Sequence, residues 1–132
     1  MKVVHNMGKK RVVVFGIFDG VHEGHRDFFR QARAHGDELV VVVGRDEASM
    51  HLKNKKPRHS QEERLRLVRQ EQEVKDAVLG DEVQSRYDVL EQLDPDVICL
   101  GYDQDALWSD LVKWIQDRNK AIQLVKLQPC KV

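Results

Sequence analysis

The sequence predicts an α/β fold: one doubly wound, parallel, five-stranded sheet in a single domain. Three observations carry that prediction. Short continuous runs of β-branched residues suit strands covered on both faces. Those runs alternate with segments of helical periodicity. The connections are long enough for the crossovers that parallel pairing requires. A chain of 132 residues fits one compact domain with one core. We take residues 1–132 as that domain, with residues 1–8 either an ordered extension or a frayed tail.

The elements follow in order. Val12-Val13-Val14-Phe15, ended by Gly16, is the first strand. From about Gly24 to His35 the pattern is helical, with Phe28, Phe29 and Ala32 on one stripe and Gly36 placed to end the helix in a left-handed conformation. Leu39-Val40-Val41-Val42-Val43, closed by Gly44, is the second strand. A polar, basic stretch covers 45–59. Ser60-Gln61-Glu62-Glu63 then matches a capping box: Ser60 Oγ accepts from the Glu63 N–H and the Glu63 carboxylate reaches back. The helix it opens runs to about Gln72 and buries Leu65 and Val68, with Leu67 beside them. Ala77-Val78-Leu79 is the third strand, ended by Gly80. A helix over 87–93 is broken by Asp94-Pro95. Asp96-Val97-Ile98-Cys99-Leu100 is the fourth strand. A helix over 105–119 carries the stripe Leu107, Leu111, Trp114 and Ile115, and Ile122, Leu124, Val125 and Leu127 mark the fifth strand. Trp108 and Trp114 read as core.

Charge excludes several partners. Lys plus Arg and Asp plus Glu are equal at 22 each, so no overall field draws the chain to nucleic acid or to a membrane, and any basic site is local. No segment is long enough to cross a bilayer and the N-terminus lacks a signal peptide's apolar stretch, so the cytoplasm is the expected location. Cys99 lies in an apolar run and reads as a small buried hydrophobe; Cys130 has no spacing that points to a disulfide framework or a metal.

In such a sheet, ligands bind beyond the carboxyl ends of strands where the strand order reverses. Residues 16–25, 44–59 and 101–105 occupy such ends. The first is Gly16-Ile17-Phe18-Asp19-Gly20-Val21-His22-Glu23-Gly24-His25. Its glycines let backbone approach a phosphate, and a helix N-terminus stabilises negative charge. His22 and His25 fall on one side of a helical turn, where imidazoles can donate to phosphoryl oxygens that gain charge in a transition state. The residues alone leave two alternatives: a tight turn with two surface histidines, or half of a zinc site whose other ligands are missing. No metal-ligand set is expected.

This segment resembles the Gly-x-Phe-Asp-x-x-His-x-Gly-His signature of the cytidylyltransferase-like nucleotidyltransferase superfamily, with matches at Gly16, Phe18, Asp19, His22, Gly24 and His25. The resemblance runs to about residue 126. It implies a Rossmann-like sheet that binds a nucleoside triphosphate along Gly16, Ile17, Phe18 and Gly24. His22 and His25 would stabilise the α-phosphate region while an acceptor phosphate attacks in line and pyrophosphate leaves, with no covalent enzyme intermediate. Ile17 stands where many relatives carry Thr or Ser, and Asp19 reads as structural, tying down the turn.

Lys53-Asn54-Lys55-Lys56-Pro57-Arg58 is either a solvated charge run or a phosphate clamp. The resemblance implies that Lys53, with Lys55 and Lys56, covers the β- and γ-phosphates. It also implies that Arg64 contacts nucleotide phosphates; an exposed ion-pairing arginine is the alternative. His51 and His59 read as plain loop residues. Asp46 and Glu47 would hold an acceptor hydroxyl, or serve as cap and turn residues. Gly101, Tyr102 and Asp103 match a segment near base and ribose: Gly101 for close approach, Tyr102 for stacking, Asp103 for the ribose or as a helix cap. Mg²⁺ is expected with the triphosphate, held mostly by phosphate and water. Relatives are often dimers, so a homodimer is allowed. Many relatives also carry an Arg-Thr-x-Gly-Ile-Ser-Thr-Thr-like motif and a closing helix after the last strand. Here Leu127-Gln128-Pro129-Cys130-Lys131-Val132 stands instead, which implies a shortened subtype, contacts supplied by another segment, or a truncated chain.

Within the superfamily, residues 18–25 look like the form found in bacterial FAD synthetases. Stretches 36–47, 52–57 and 95–104 look like archaeal-type FAD synthases, which transfer AMP from ATP to FMN. Glycerol-3-phosphate cytidylyltransferases, which use CTP, are similar in size and layout and form the alternative; sugar-phosphate nucleotidyltransferases come third. A non-catalytic nucleotide-binding module is the reading from another class.

Overall fold

Why the valine runs become the sheet's centre is visible in their pairing. In a computed structural model that describes residues 9–47, 56–82 and 86–129, the order is β1 (Arg11–Gly16), α1 (Glu23–Arg33), β2 (Glu38–Val43), α2 (Gln61–Arg69), β3 (Asp76–Leu79), α3 (Asp88–Leu93), β4 (Val97–Leu100), α4 (Asp105–Arg118) and β5 (Gln123–Lys126). The expected extension over 1–8 and residues His51, Lys53, Lys55 and Cys130 lie outside the described residues. All five strands are parallel, in the order β3-β2-β1-β4-β5. The doubly wound parallel sheet read from the sequence is the one observed.

Alternate residues of each strand go to opposite faces. Val12 and Val14, Leu39, Val41 and Val43, and Val97 and Cys99 join Phe29, Ala32 and Val68 of α1 and α2 on one face. Val13, Val40, Val42, Ile98 and Leu100 join Leu90 and Leu93 of α3 and Leu111 and Trp114 of α4 on the other. The chain thus winds from β1 outward to β3 over one face, then from β4 to β5 over the other. A constant crossover hand requires that change of face when the direction reverses. β1 is the hinge between the halves: it pairs along six positions with β2, from Arg11–Glu38 to Gly16–Val43, but at only Val12–Val97 and Val13–Ile98 with β4. The two strands diverge toward their carboxyl ends, and a crevice opens there.

The amino edge is closed by a buried Arg11, whose Nη1 donates to the Leu93 carbonyl at 2.7 Å and whose Nη2 pairs with Glu38 at 3.4 Å. Among the described residues, no helix is long and apolar enough to cross a membrane.

Two local expectations need correction. Gly36 does not take a left-handed conformation, because Gly20 is the glycine with positive φ among the described residues. Gly36 is small for a different reason: a Cβ there would lie 2.6 Å from Val12 Cγ2 and 2.8 Å from the Lys10 carbonyl, where the turn packs on the entry to β1. The capping box at α2 is half formed. Ser60 Oγ accepts from the Glu63 N–H at 3.1 Å, while the Glu63 carboxylate pairs with Arg66. The close contact at Gly36 predicts that Gly36→Ala destabilises the fold by about 1–3 kcal/mol, because β1 or the turn must shift. Urea denaturation with an unchanged m-value measures it.

Candidate active site

The site grows from the end of β1. Phe18 is held left-handed at φ 56°, a conformation that costs an L-residue roughly 1–2 kcal/mol. Burial of its ring offsets that cost. The ring folds back over Gly16, where a Cβ would fall 2.5 Å from Phe18 Cζ, and packs against Phe28 and Phe29. Its edge meets His25 at 5.1 Å between centroids, 77° apart in plane. Gly16 therefore makes room for an aromatic ring, whereas the sequence had pointed to a phosphate.

His22 is the N-cap of α1 and forms a reciprocal capping box with His25. The Gly24 N–H donates to His22 Nδ1 at 3.0 Å, and the His22 N–H donates to His25 Nδ1 at 3.3 Å. A ring nitrogen that accepts carries no proton. Each imidazole thus turns Nδ1 toward a backbone N–H of the first turn of α1, with Nε2 on the far side of the ring. The rings stack at 3.9 Å and 21°. Gly24 is required beneath them, since a Cβ would meet His22 Cε1 at 2.9 Å. The pair sets two stacked imidazoles at the start of a helix, where the dipole favours an anion.

Two side chains bind the surrounding segments together. Arg64 is fully buried. Its Nη1 donates to the carbonyls of Ile17 at 2.9 Å and Gly44 at 2.7 Å, its Nε to that of His59 at 3.2 Å, and its Nη2 to the Asp46 carboxylate at 2.7 Å. It is therefore not the exposed arginine of one expectation, and its donors are engaged by the loop backbone and Asp46. Asp46, half exposed, neutralises it, so that carboxylate is engaged rather than left for an acceptor hydroxyl. Asp19 accepts the Arg58 N–H at 2.7 Å and the His59 N–H at 3.0 Å, and its Oδ1 also meets His59 Nδ1 at 3.0 Å. Burial pushes the Asp19 carboxyl up, but the two backbone N–H groups and the His59 imidazole outweigh it and hold it down at about 2. The structural reading of Asp19 is correct; His59 is its partner and more than a plain loop residue.

Across the crevice, Gln104 bridges what the diverging strands leave open. Its Nε2 donates to the Phe15 carbonyl at 3.0 Å and its Oε1 accepts the Gly101 N–H at 2.8 Å. One side chain thus replaces the missing rungs between β1 and β4. Gly101 also abuts Phe28: a Cβ there would sit 3.6 Å from Phe28 Cε1. Tyr102 stands 58% exposed on the loop, beside an exposed Asp103 that does not cap α4.

The fold consequently gathers Gly16, Ile17, Phe18, His22, Gly24 and His25 in the β1–α1 loop and Gly101, Tyr102 and Asp103 on the opposite lip. Lys56 is exposed where the basic stretch re-enters the described residues. Sequence reasoning missed Gln104 and the pairing of His59 with Asp19, because their partners lie 89 and 40 residues away. Among the described residues no group of three or more His, Cys, Asp or Glu is placed to hold a metal ion. Burial pushes the Cys99 thiol up to about 12, so it stays protonated in the core.

The model of the Cytidylyltransferase-like family matches residues 13–131. The chain belongs to that family. Within it, the chain is similar to the FAD synthase of Pyrococcus horikoshii, at 36% identity over 90% of this chain and 80% of that one. It is similar also to the FAD synthase of Ferroglobus placidus, at 43% identity over 90% of this chain and 76% of that one. A solved structure, titled the lipopolysaccharide core biosynthesis protein from Thermoplasma volcanium GSS1, superposes with a TM-score of 0.87 at 32% identity over 94% of this chain and 100% of that one.

Two predictions follow from the knot beneath the family's signature loop. Arg64→Met strips three buried carbonyls of their donor and is expected to cost about 2 kcal/mol or more in urea denaturation. Asp19 has a folded pKa below its unfolded one, so its contribution to stability is present above about pH 4 and is lost as pH falls toward about 2. The stability difference between wild type and Asp19→Asn is expected to shrink across that window in acid titrations of unfolding.

Proposed function

We propose that this chain is an FMN adenylyltransferase, transferring AMP from ATP to FMN and releasing pyrophosphate to give FAD. The single observation that carries the chemistry is the doubly capped histidine pair, His22 and His25, with both rings fixed by main-chain hydrogen bonds at the start of α1. An FMN phosphate oxygen attacks the α-phosphorus of ATP, a new P–O bond forms, and the bond from the α-phosphorus to the bridging oxygen of the leaving pyrophosphate breaks. Charge that grows on the α-phosphoryl oxygens meets donors that need no reorganisation. Imidazoles held by main-chain hydrogen bonds suit this role, since their interactions with the phosphoryl oxygens strengthen as those oxygens gain charge.

The acceptor and base rest on similarity to proteins named FAD synthase across nine-tenths of the chain. ATP would lie across the crevice between the β1–α1 loop and the 101–104 loop, its ring and ribose toward Tyr102 and Asp103. The positive charge facing its β- and γ-phosphates would come from the basic stretch, in which Lys53, Lys55 and Lys56 stand. Mg²⁺ enters as part of the ATP complex. The nearby carboxylates of Asp19 and Asp46 are engaged by N–H donors, which fits an ion carried by phosphate and water. Arg64 contributes by fixing the loop backbone. ATP and FMN are both cytoplasmic solutes, and the cytoplasm is the working location under this reading.

Pyrophosphate release in the presence of Mg²⁺, with ATP or CTP against FMN, glycerol 3-phosphate or a sugar phosphate, tests the reading. Turnover confined to ATP with FMN is the expected outcome; turnover with CTP and glycerol 3-phosphate replaces it. His25→Ala is expected to lower kcat at least about a hundredfold, as for loss of a transition-state donor, with circular dichroism unchanged. Near-normal kcat in that variant would remove the histidine pair from the mechanism.

A further inference from the structure

Arg58 lies against the signature loop. Its Nη2 donates to the Asp19 carbonyl at 3.3 Å, and a Cβ on Gly20 would sit 2.9 Å from that same nitrogen. Gly20, at φ 93°, supplies both the turn and the open space. Several surface arginines are quenched: Arg26, Arg66, Arg69 and Arg118 each pair with a carboxylate, while Arg33 and Arg45 donate to backbone carbonyls. Arg58 has a carboxylate next to it and does not pair with it. Asp19 instead spends both oxygens on the backbone N–H groups of Arg58 and His59 and on the His59 ring. The carboxylate thereby fixes the backbone that carries Arg58 and leaves the side chain exposed, against residues 19 and 20 of the loop that leads to His22.

We propose that Arg58 is a triphosphate-binding residue of this site and that Asp19 is its positioning residue. The inference rests on the nucleotidyltransferase reading above. A triphosphate carries several negative charges, more than a histidine pair and one helix N-terminus balance. Arg64 is buried and already neutralised by Asp46. Arg58 brings a guanidinium fork, suited to two phosphate oxygens at once, to the rim of the same loop. Its tether makes that placement independent of side-chain chance: the main chain at 58–59 is tied to residue 19, three positions before the N-cap of α1.

The test measures binding by calorimetry, with Mg²⁺ present, of inorganic tripolyphosphate and of ATP, alongside thermal melting. Arg58→Ala is expected to weaken both ligands at least about tenfold, the loss of a charge-assisted hydrogen bond, at unchanged melting temperature. Arg58→Lys is expected to recover part of the affinity, since it keeps the charge and loses the fork. Asp19→Asn is expected to weaken tripolyphosphate as well, and to add little in the Arg58→Ala background. Tripolyphosphate affinity within about twofold of wild type in Arg58→Ala overturns the proposal, as does a wild type that binds no tripolyphosphate. A deficit of Asp19→Asn that adds in full to that of Arg58→Ala overturns the positioning role. If wild type binds tripolyphosphate, Arg58→Ala loses it, and ATP with FMN gives no pyrophosphate, the FMN reading fails and this one stands.

Discussion

The guanidinium of Arg64 is the constraint on which the carboxyl edge of this sheet depends. Three chain segments meet there: the exit of β1 at Ile17, the exit of β2 at Gly44, and the returning strand of the basic stretch at His59. Each presents a backbone carbonyl that no strand or helix satisfies, and one side chain satisfies all three. Burying a cation costs several kcal/mol unless it is paired and fully hydrogen-bonded. Asp46 supplies the counter-charge, and it faces water on its other side, which lowers its own desolvation cost. A lysine has neither the reach nor the fork to hold carbonyls in three directions. The position thus demands arginine for reasons of geometry, before any ligand is considered.

What that junction supports is a chain of contacts that runs from backbone strain to donor placement. Ile17, anchored through its carbonyl, is followed by Phe18 in a left-handed conformation that no isolated aromatic residue would prefer. Phe18 reaches the core only because Gly16 leaves space, and its ring edge then sets the plane of His25. His25 accepts from the His22 backbone, and His22 accepts from the Gly24 backbone, so each ring is oriented by a main-chain N–H of the same helix start. Orientation entropy is lost on folding instead of at the moment of reaction, which is how preorganised donors lower a barrier. Strain localised at a functional loop and offset by surrounding packing is a common form of this arrangement.

Legibility in the sequence followed the range of each interaction. Strands, helices and the faces they bury were readable because they rest on periodicities within a few residues, and the β-branched runs at 12–14 and 39–43 allowed little else. The histidine pair was readable for the same reason: its spacing of three is itself the geometry. The burial of Arg64 was missed although a signal existed. It lies four residues before Val68, on the buried stripe of α2, and a charged residue on an apolar stripe points to a buried ion with partners. Gln104 gave no such signal, since nothing local distinguishes a glutamine that closes a gap between diverging strands from one that faces water. Gly36 was read as a conformational device when it is a matter of space, a distinction that needs the neighbouring side chain to be seen.

The same division explains why the reaction class is easier to read than the acceptor. Transfer at the α-phosphorus needs fixed donors, and under the proposed reading these come from the β1–α1 loop, whose residues 16–25 lie within about ten positions of one another. Under the same reading, acceptor choice falls to loop residues beyond that segment, such as the lip after β4 that Gln104 anchors. That anchor holds backbone and leaves the neighbouring side chains free to differ. A change at Tyr102 or in the basic stretch alters what fits beside the histidines without disturbing Arg64, Asp19 or the sheet. One scaffold can therefore serve several phosphorylated acceptors, and selection among them acts on exposed loop residues, where substitutions cost least in stability.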